Sequence, residues 1–554
     1  MNGTRKLLRK VTAAASASAL LVSGASSVAA ASYQEAEKAS LTQLITDFSA
    51  YWDQVMASME QSATGGGKAV MTLKLEDGGK TLLSAASGGM DFSWLNTLTM
   101  DMTASVAEGK ETANAAILMN DSPLCNMNVY MDMADMTEYL QIPELSESWL
   151  KIPLLASMEL SAEEAAAAFE TEEEAQAYQE YMEQYEASMN NYFKVLGDMT
   201  SVLPDTKTLS TLLERYGNLI IDNTGEGTST EEALSVEGVS EDCTVYETTI
   251  TEENLTTMLN TILTTAKEDK ELKSVLEMWD EAGGTDLSTQ FQTGIDGLLS
   301  DLAAEEASGE DVISSKIWTN AEGKIRGREI SLESEGQSYP IFSWKSPSAD
   351  GNSALLVEFG ADTSSITFTG SGQSADGLLS GDYVLAVDGV KLIGISAENL
   401  ETNPEVPGYY NGTFNVSVLD QGTEEEPNPL AAFGLTVKLA SDAKAQTNQI
   451  DMTVTNSGAS LVTLSVGGSY AEEGVAAPDQ AALDSAVDMS SEEGAQAYAE
   501  GLDLNTLLTN AVAAGMPEEL ATALVQSMQP AAPSTEGEIQ ETAPEEEAPA
   551  ENAA

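Results

Sequence analysis

Residues 40–59 place Leu41, Leu44, Ile45, Phe48, Trp52, Val55 and Met59 three or four apart, which predicts a helix whose single apolar face must pack on something. Past Gly65, Gly66 and Gly67 the period drops to two. Met71, Leu73 and Leu75 alternate with Thr72, Lys74 and Glu76, and Leu98, Met100 and Met102 alternate with Thr99, Asp101 and Thr103. Met127, Val129, Met131 and Met133 alternate in the same way with Asn128, Tyr130 and Asp132. These are half-buried strands with one face rich in methionine, and Asp77-Gly78-Gly79 and Glu108-Gly109 read as their turns.

Ser161 and Glu164 form a capping box for a long helix over residues 161–196, striped by Tyr178, Tyr181, Met182, Tyr185, Met189, Phe193 and Leu196. Shorter helices are expected over residues 206–216, 251–279 and 287–302. A second run of hairpins follows, turning at residues 320–323, at Asp388-Gly389, at Asn411-Gly412 and at Ser457-Gly458. Past Ala476 the composition returns to Ala, Glu and Leu, with a helix over residues 517–528 that uses Pro517 in its first turn. From Pro530 the Pro/Ala/Glu sequence is too polar to fold. Helices and antiparallel hairpins in alternating blocks make this an α+β chain. The expected division is 1–31, a signal segment; 32–222, helices around the methionine-rich sheet; 223–475, helices and a second antiparallel sheet; 476–529, a helical segment; and 530–554, a disordered acidic tail.

Charge narrows the partners. The 554 residues carry 24 Lys+Arg against 90 Asp+Glu, a formal net charge of -66, which repels nucleic acids and anionic surfaces. Arg5, Lys6, Arg9 and Lys10 precede an Ala/Ser/Leu-rich stretch that ends in Ala29, Ala30 and Ala31, the layout of an export signal cleaved before Ser32. No later stretch has the length and hydrophobicity of a transmembrane helix, and no cysteine follows the signal to carry a lipid anchor. The two cysteines, Cys125 and Cys243, either form a disulfide in an oxidising compartment or remain buried thiols.

The chain contains no histidine, which removes Ser-His-Asp and Cys-His nucleophile activation, histidine zinc sites and histidine proton shuttles. No pair among the many carboxylates is singled out by spacing as a glycosidase pair. Residues 222–233 approximate a calcium loop, with Gly227 sixth, but Ala233 occupies the twelfth position where a bidentate glutamate is required. The expectation is therefore no catalytic residue, no metal and no cofactor. What remains is the methionine face, since unbranched, polarizable side chains adapt to irregular apolar partners. Met71, Leu73, Met100, Met102, Met127, Val129, Met131 and Met133 are the candidate apolar-ligand residues, to be covered by the helices of residues 40–59 and 161–196. Such a face encloses either a packed core or a slot.

The segments YLQIPELSESWLKIPL (139–154) and KIWTNAEGKIRGREISL (316–332), with the early helix, resemble exported proteins of Gram-positive gut bacteria and, more loosely, the LolA and LppX kind of half-barrel lipoprotein carriers. The resemblance implies curved antiparallel sheets wrapped on helices around an apolar cavity, two such units over residues 40–466, and a cargo of lipid or acyl chains. The implied role is non-catalytic binding of an apolar or lipid-like molecule at the cell envelope. The alternative is a structural or interaction module, with an envelope protein as partner and no cavity.

Overall fold

The computed structural model describes residues 32–64, 66–107, 109–154, 169, 171, 176–182, 185, 188–189, 202–283, 285–304, 310–334, 336–361, 364–402, 406, 408–419, 422, 428–471 and 474–528. Helix α1 (Tyr33–Thr64) leads into β1 (Gly66–Leu75), and α2 (Asp77–Ala86) into β2 (Thr97–Ala107), β3 (Lys110–Met119), β4 (Ser122–Asp132), β5 (Thr137–Gln141) and β6 (Leu150–Pro153). Next come α3 (Thr206–Asp222), β7 (Thr228–Val236), β8 (Val239–Thr251), α4 (Glu252–Glu268), α5 (Lys270–Gly283) and α6 (Leu287–Ala303). The long strand series is β9 (Asp311–Thr319), β10 (Ile325–Ser334), β11 (Gln337–Lys345), β12 (Ser348–Ala349), β13 (Asn352–Ala361), β14 (Ser364–Ala375), β15 (Leu378–Val387), β16 (Val390–Glu401), β17 (Gly412–Val418), β18 (Phe433–Asp442), β19 (Thr447–Asn456) and β20 (Ala459–Ala471). The chain closes with α7 (Gln480–Asp484), β21 (Val487–Asp488), α8 (Glu492–Glu500), α9 (Leu504–Ala513) and α10 (Glu518–Met528).

Among the described residues all strands form one open sheet. Strands β7 to β11 and β13 to β20 lie side by side in chain order, each antiparallel to the last, because short turns connect most of them. The first strand, β1, pairs along ten residues with β20, and β2 to β6 continue from its other side. Only the two-residue β21 joins in parallel, beside β6. The two runs of hairpins are thus one sheet, with the β1–β20 ladder as the seam.

Several local expectations change. Asp77-Gly78-Gly79 starts α2 instead of turning a hairpin; a Cβ on Gly79 would lie 2.1 Å from the Leu461 carbonyl oxygen, so that glycine serves a close approach to β20. Asn411-Gly412 also makes no turn. Gly412, at φ 141, opens β17 directly against the Leu400 backbone, and the Asn411 side chain accepts from the Ser441 amide. The single helix expected over 251–279 breaks at Asp269, whose extended backbone ends α4 and whose carboxylate caps α5 through the Leu272 amide. The stretch compared with a calcium loop instead runs into the exposed edge strand β7, Thr228–Val236. Asp388-Gly389 and Ser457-Gly458 turn with positive φ as expected. Most of the helix expected over 161–196, the signal segment and the acidic tail lie outside the described residues.

Helices cover the apolar face firmly at one end. Leu255 and Met258 of α4 pack on Ile250, Ile313, Ile330 and Phe342 of β8 to β11. Helix α3 runs antiparallel to α1, with Leu41 against Ile221 and Gly217, and a Cβ on Gly217 would lie 2.6 Å from the Leu41 side chain. Beneath them, Arg328 of β10 is 1% exposed and donates through both terminal nitrogens to Glu37 of α1, at 2.5 and 2.7 Å. Burial opposes the Arg328 charge, but the Glu37 carboxylate outweighs it and raises the guanidinium pKa. Tyr33 adds a 2.7 Å hydrogen bond with Ser315.

Glu37→Leu leaves Arg328 buried without its partner and lowers stability by about 3–5 kcal/mol, read from denaturant midpoints, whereas Glu37→Leu with Arg328→Leu regains most of that loss. At Asp269 burial opposes ionisation, but Arg215, the Leu272 amide and the Tyr216 hydroxyl outweigh it and hold the carboxyl below its ordinary value. Its contribution is therefore full above the unfolded carboxylate pKa of about 4 and disappears as pH falls through the lowered folded value. Acid unfolding of Asp269→Asn, followed by tryptophan fluorescence, loses that part of the pH dependence.

Candidate functional site

Directly paired residues on neighbouring strands point to the same side of a sheet, so the ladders define the faces. One rung runs Phe414, Val437, Met452, Leu464, Leu73, Leu98 across β17, β18, β19, β20, β1 and β2. The next runs Leu439, Ile450, Val466, Met71, Met100, Ile117. On the other side the rung Asn415, Thr436, Thr453, Thr463, Lys74 is polar, and its hydroxyls and amide hydrogen-bond along the row. The sheet is amphipathic across the seam, with no change of side between the two hairpin runs.

The expected residues fall on the apolar side. Met71, Leu73, Met100, Met102, Met127, Val129 and Met131 share that face through their registers, Met102 and Met127 both pairing with Ala115. Met133 lies just past the end of β4, buried with Met136 and packed against Val106, Met131, Leu154 and Met189, so Met133 and Met131 share a local core at this end of the face. Sequence alternation alone missed the contribution of the second hairpin run, because nothing in the period indicates that β20 pairs with β1.

The middle of this face is poorly covered. Met71 is 42% exposed, Leu73 43%, Leu98 43%, Ile450 40% and, further along, Phe359 50% and Ile366 49%. Contiguous apolar exposure of this kind is uncommon on a folded protein. Helix α1 crosses the same side. Glu37 near its start bonds Arg328 on β10, and the carbonyl of Ser58 near its end accepts from the Tyr470 hydroxyl on β20 at 3.4 Å. At about 1.5 Å per residue the helix covers about 30 Å between those points. The sheet path between the same strands takes nine inter-strand steps of about 4.8 Å, or about 43 Å. The longer path must therefore curve relative to the shorter between those two points.

Along α1 the grip changes. Tyr33, Ala36, Glu37, Ser40 and Leu41 are buried, and no described residue after Leu41 is. The second half is held from the side, by Ser49 to Ser210, by Asp53 accepting from Thr206, and by the Trp52 indole donating to the Pro204 carbonyl at 3.0 Å. At the far end of the sheet, Ala511 and Ala514 beside α9 pack on Met119.

Elsewhere a cleft of about 590 Å³ opens between the β7–β8 turn and β13–β14, lined by polar groups such as Glu237, Ser240, Asp350, Asn352 and Gln373, away from the apolar rungs. Among the described residues no group of acidic or cysteine side chains is arranged to hold a metal ion, and no helix is long and apolar enough to cross a membrane. Comparison with family models, with curated proteins and with solved structures gives no match.

The cysteines do not meet. Cys125 lies on the apolar face of β4, while Cys243 lies on the opposite face of β8, packed with Leu234, Val245 and Trp318, and both are free. The disulfide considered from sequence is thus absent: the two thiols occupy different faces of well-separated strands. Burial pushes the Cys243 thiol up to about 11, and burial with the nearby Glu144 charge raises Cys125. Intact mass after alkylation at pH 8 is expected to show slow labelling of Cys125 alone in the native protein, and two labels without prior reduction once it is unfolded.

Proposed function

We propose that the protein is an exported, non-catalytic carrier that holds the hydrocarbon part of a lipid-like molecule in the trough between α1 and the apolar sheet face. The observation that carries this reading is the run of apolar rungs across β17 to β3, one side chain per strand and partly open to solvent, backed by a polar opposite face. A sheet that only needed a core would cover such rungs; leaving them open costs solvation free energy unless a ligand occupies them. The methionines suit chains of variable length and branching. A half-barrel arrangement of the sheet, as in the LolA and LppX kind of carrier, accords with the bow beneath α1. Export is supported by the basic and Ala-rich residues ahead of Ser32.

The test is native mass spectrometry of the chain purified from its producer, before and after solvent extraction. The expected result is an extractable adduct that Met71→Asp with Leu98→Asp abolishes while circular dichroism is unchanged, since both side chains are already partly hydrated. A clean apo mass in repeated preparations, with no uptake of long-chain amphiphiles offered afterwards, overturns the carrier reading and favours an interaction module.

A further inference from the structure

We infer that the trough selects its cargo by head-group charge, admitting amphiphiles whose head carries no net negative charge and rejecting carboxylate- or phosphate-headed ones. This deepens the carrier reading and rests on it. The strand registers send the charged side chains almost entirely to one side of the sheet. Strands β13 to β20 and β1 to β6 contain six lysines and no arginine: Lys68, Lys74, Lys110, Lys151, Lys391 and Lys438. Every one points to the polar side. Lys68 pairs with Thr103, Lys74 with Thr97 and Thr463, Lys438 with Asp451 and Thr413, Lys391 with Ala386, Lys110 with Asp132, and Lys151 with Tyr139. Lys68, Lys74 and Lys110 are also committed to ion pairs with Asp101, Glu76 and Asp132.

On the apolar side of the same strands, the charged residues are Glu111 and Glu138 alone. They occupy one rung, on either side of Met131, and both are only partly buried. Past Lys38, α1 adds no basic residue; its Asp47, Asp53 and Glu60 are exposed, Asp47 accepting from Gln43 and Asp53 from Thr206. An anionic head placed at the Glu111–Met131–Glu138 rung would meet two carboxylates, and among the described residues no lysine of these strands shares that side to pair with it. A chain-wide charge of -66 adds a repulsive field on approach. Neutral heads escape both costs, and ammonium heads gain.

The experiment measures binding of three probes with the same saturated sixteen-carbon tail, an alcohol, a primary amine and a fatty acid, to the full mature chain at pH 8 by tryptophan quenching and native mass spectrometry below their aggregation concentrations. The expected result is that alcohol and amine bind at least about ten-fold more tightly than the fatty acid, a gap of about 1.4 kcal/mol. The gap narrows in high salt, and Glu111→Gln with Glu138→Gln improves fatty-acid binding while leaving the alcohol unchanged. Equal or tighter binding of the fatty acid at low salt overturns the charge selection and leaves the carrier reading standing. Failure of all three tails to bind overturns the carrier reading and this inference together.

Discussion

The seam between β1 and β20 is the constraint on which the remaining architecture depends. Ten residue pairs join the first strand of the described chain to the last long one. Without that ladder, β20 and β1 would each present a free edge of backbone donors and acceptors, and the apolar rungs would stop halfway. Bringing such distant segments together costs loop-closure entropy, which the ladder and its side-chain rows must exceed. Helix α1 contributes to the same closure. Its buried start is fixed on β10 by the Glu37–Arg328 pair, and its end delivers β1 into place beside β20.

Those two attachments make different mechanical demands. A bidentate, desolvated ion pair tolerates little displacement and gives the start of α1 a defined position. The second half of the helix carries Phe48 stacked on Trp52 and a few lateral hydrogen bonds to the α3 side, with no buried residue among those described. The helix is thus held tightly at its start and loosely along the rest of its length.

Much of the secondary structure was legible in period and turn chemistry. The three- and four-residue spacing from Leu41 to Met59 foretold α1, and alternation from Met71 to Leu75 and from Met127 to Met131 foretold β1 and β4 with the correct face inward. Errors arose where one residue type serves two physical purposes. Gly79 and Gly412 looked like turn glycines, but each is needed for a close backbone approach. Asp269 sits in a helical period, yet its side chain caps a new helix and breaks the old one. The pairing of β1 with β20 was illegible for a deeper reason: a period reveals which face of a strand is buried, not which strand lies beside it. The separation of Cys125 and Cys243 onto opposite faces was hidden for the same reason.

The central claim is that the methionine-bearing face is open and becomes covered when apolar cargo binds. Peroxide footprinting with peptide-level mass spectrometry tests it most directly, because thioether oxidation follows exposure. Met71, 42% exposed on the rungs, is compared with Met90, 46% exposed off them, and with buried Met119. The account predicts that Met71 oxidises about as fast as Met90 in the empty protein and is protected, with Met90 unaffected, once a long-chain alcohol is added. Oxidation of Met71 as slow as that of Met119 in the empty protein, or no protection by the alcohol, would contradict it.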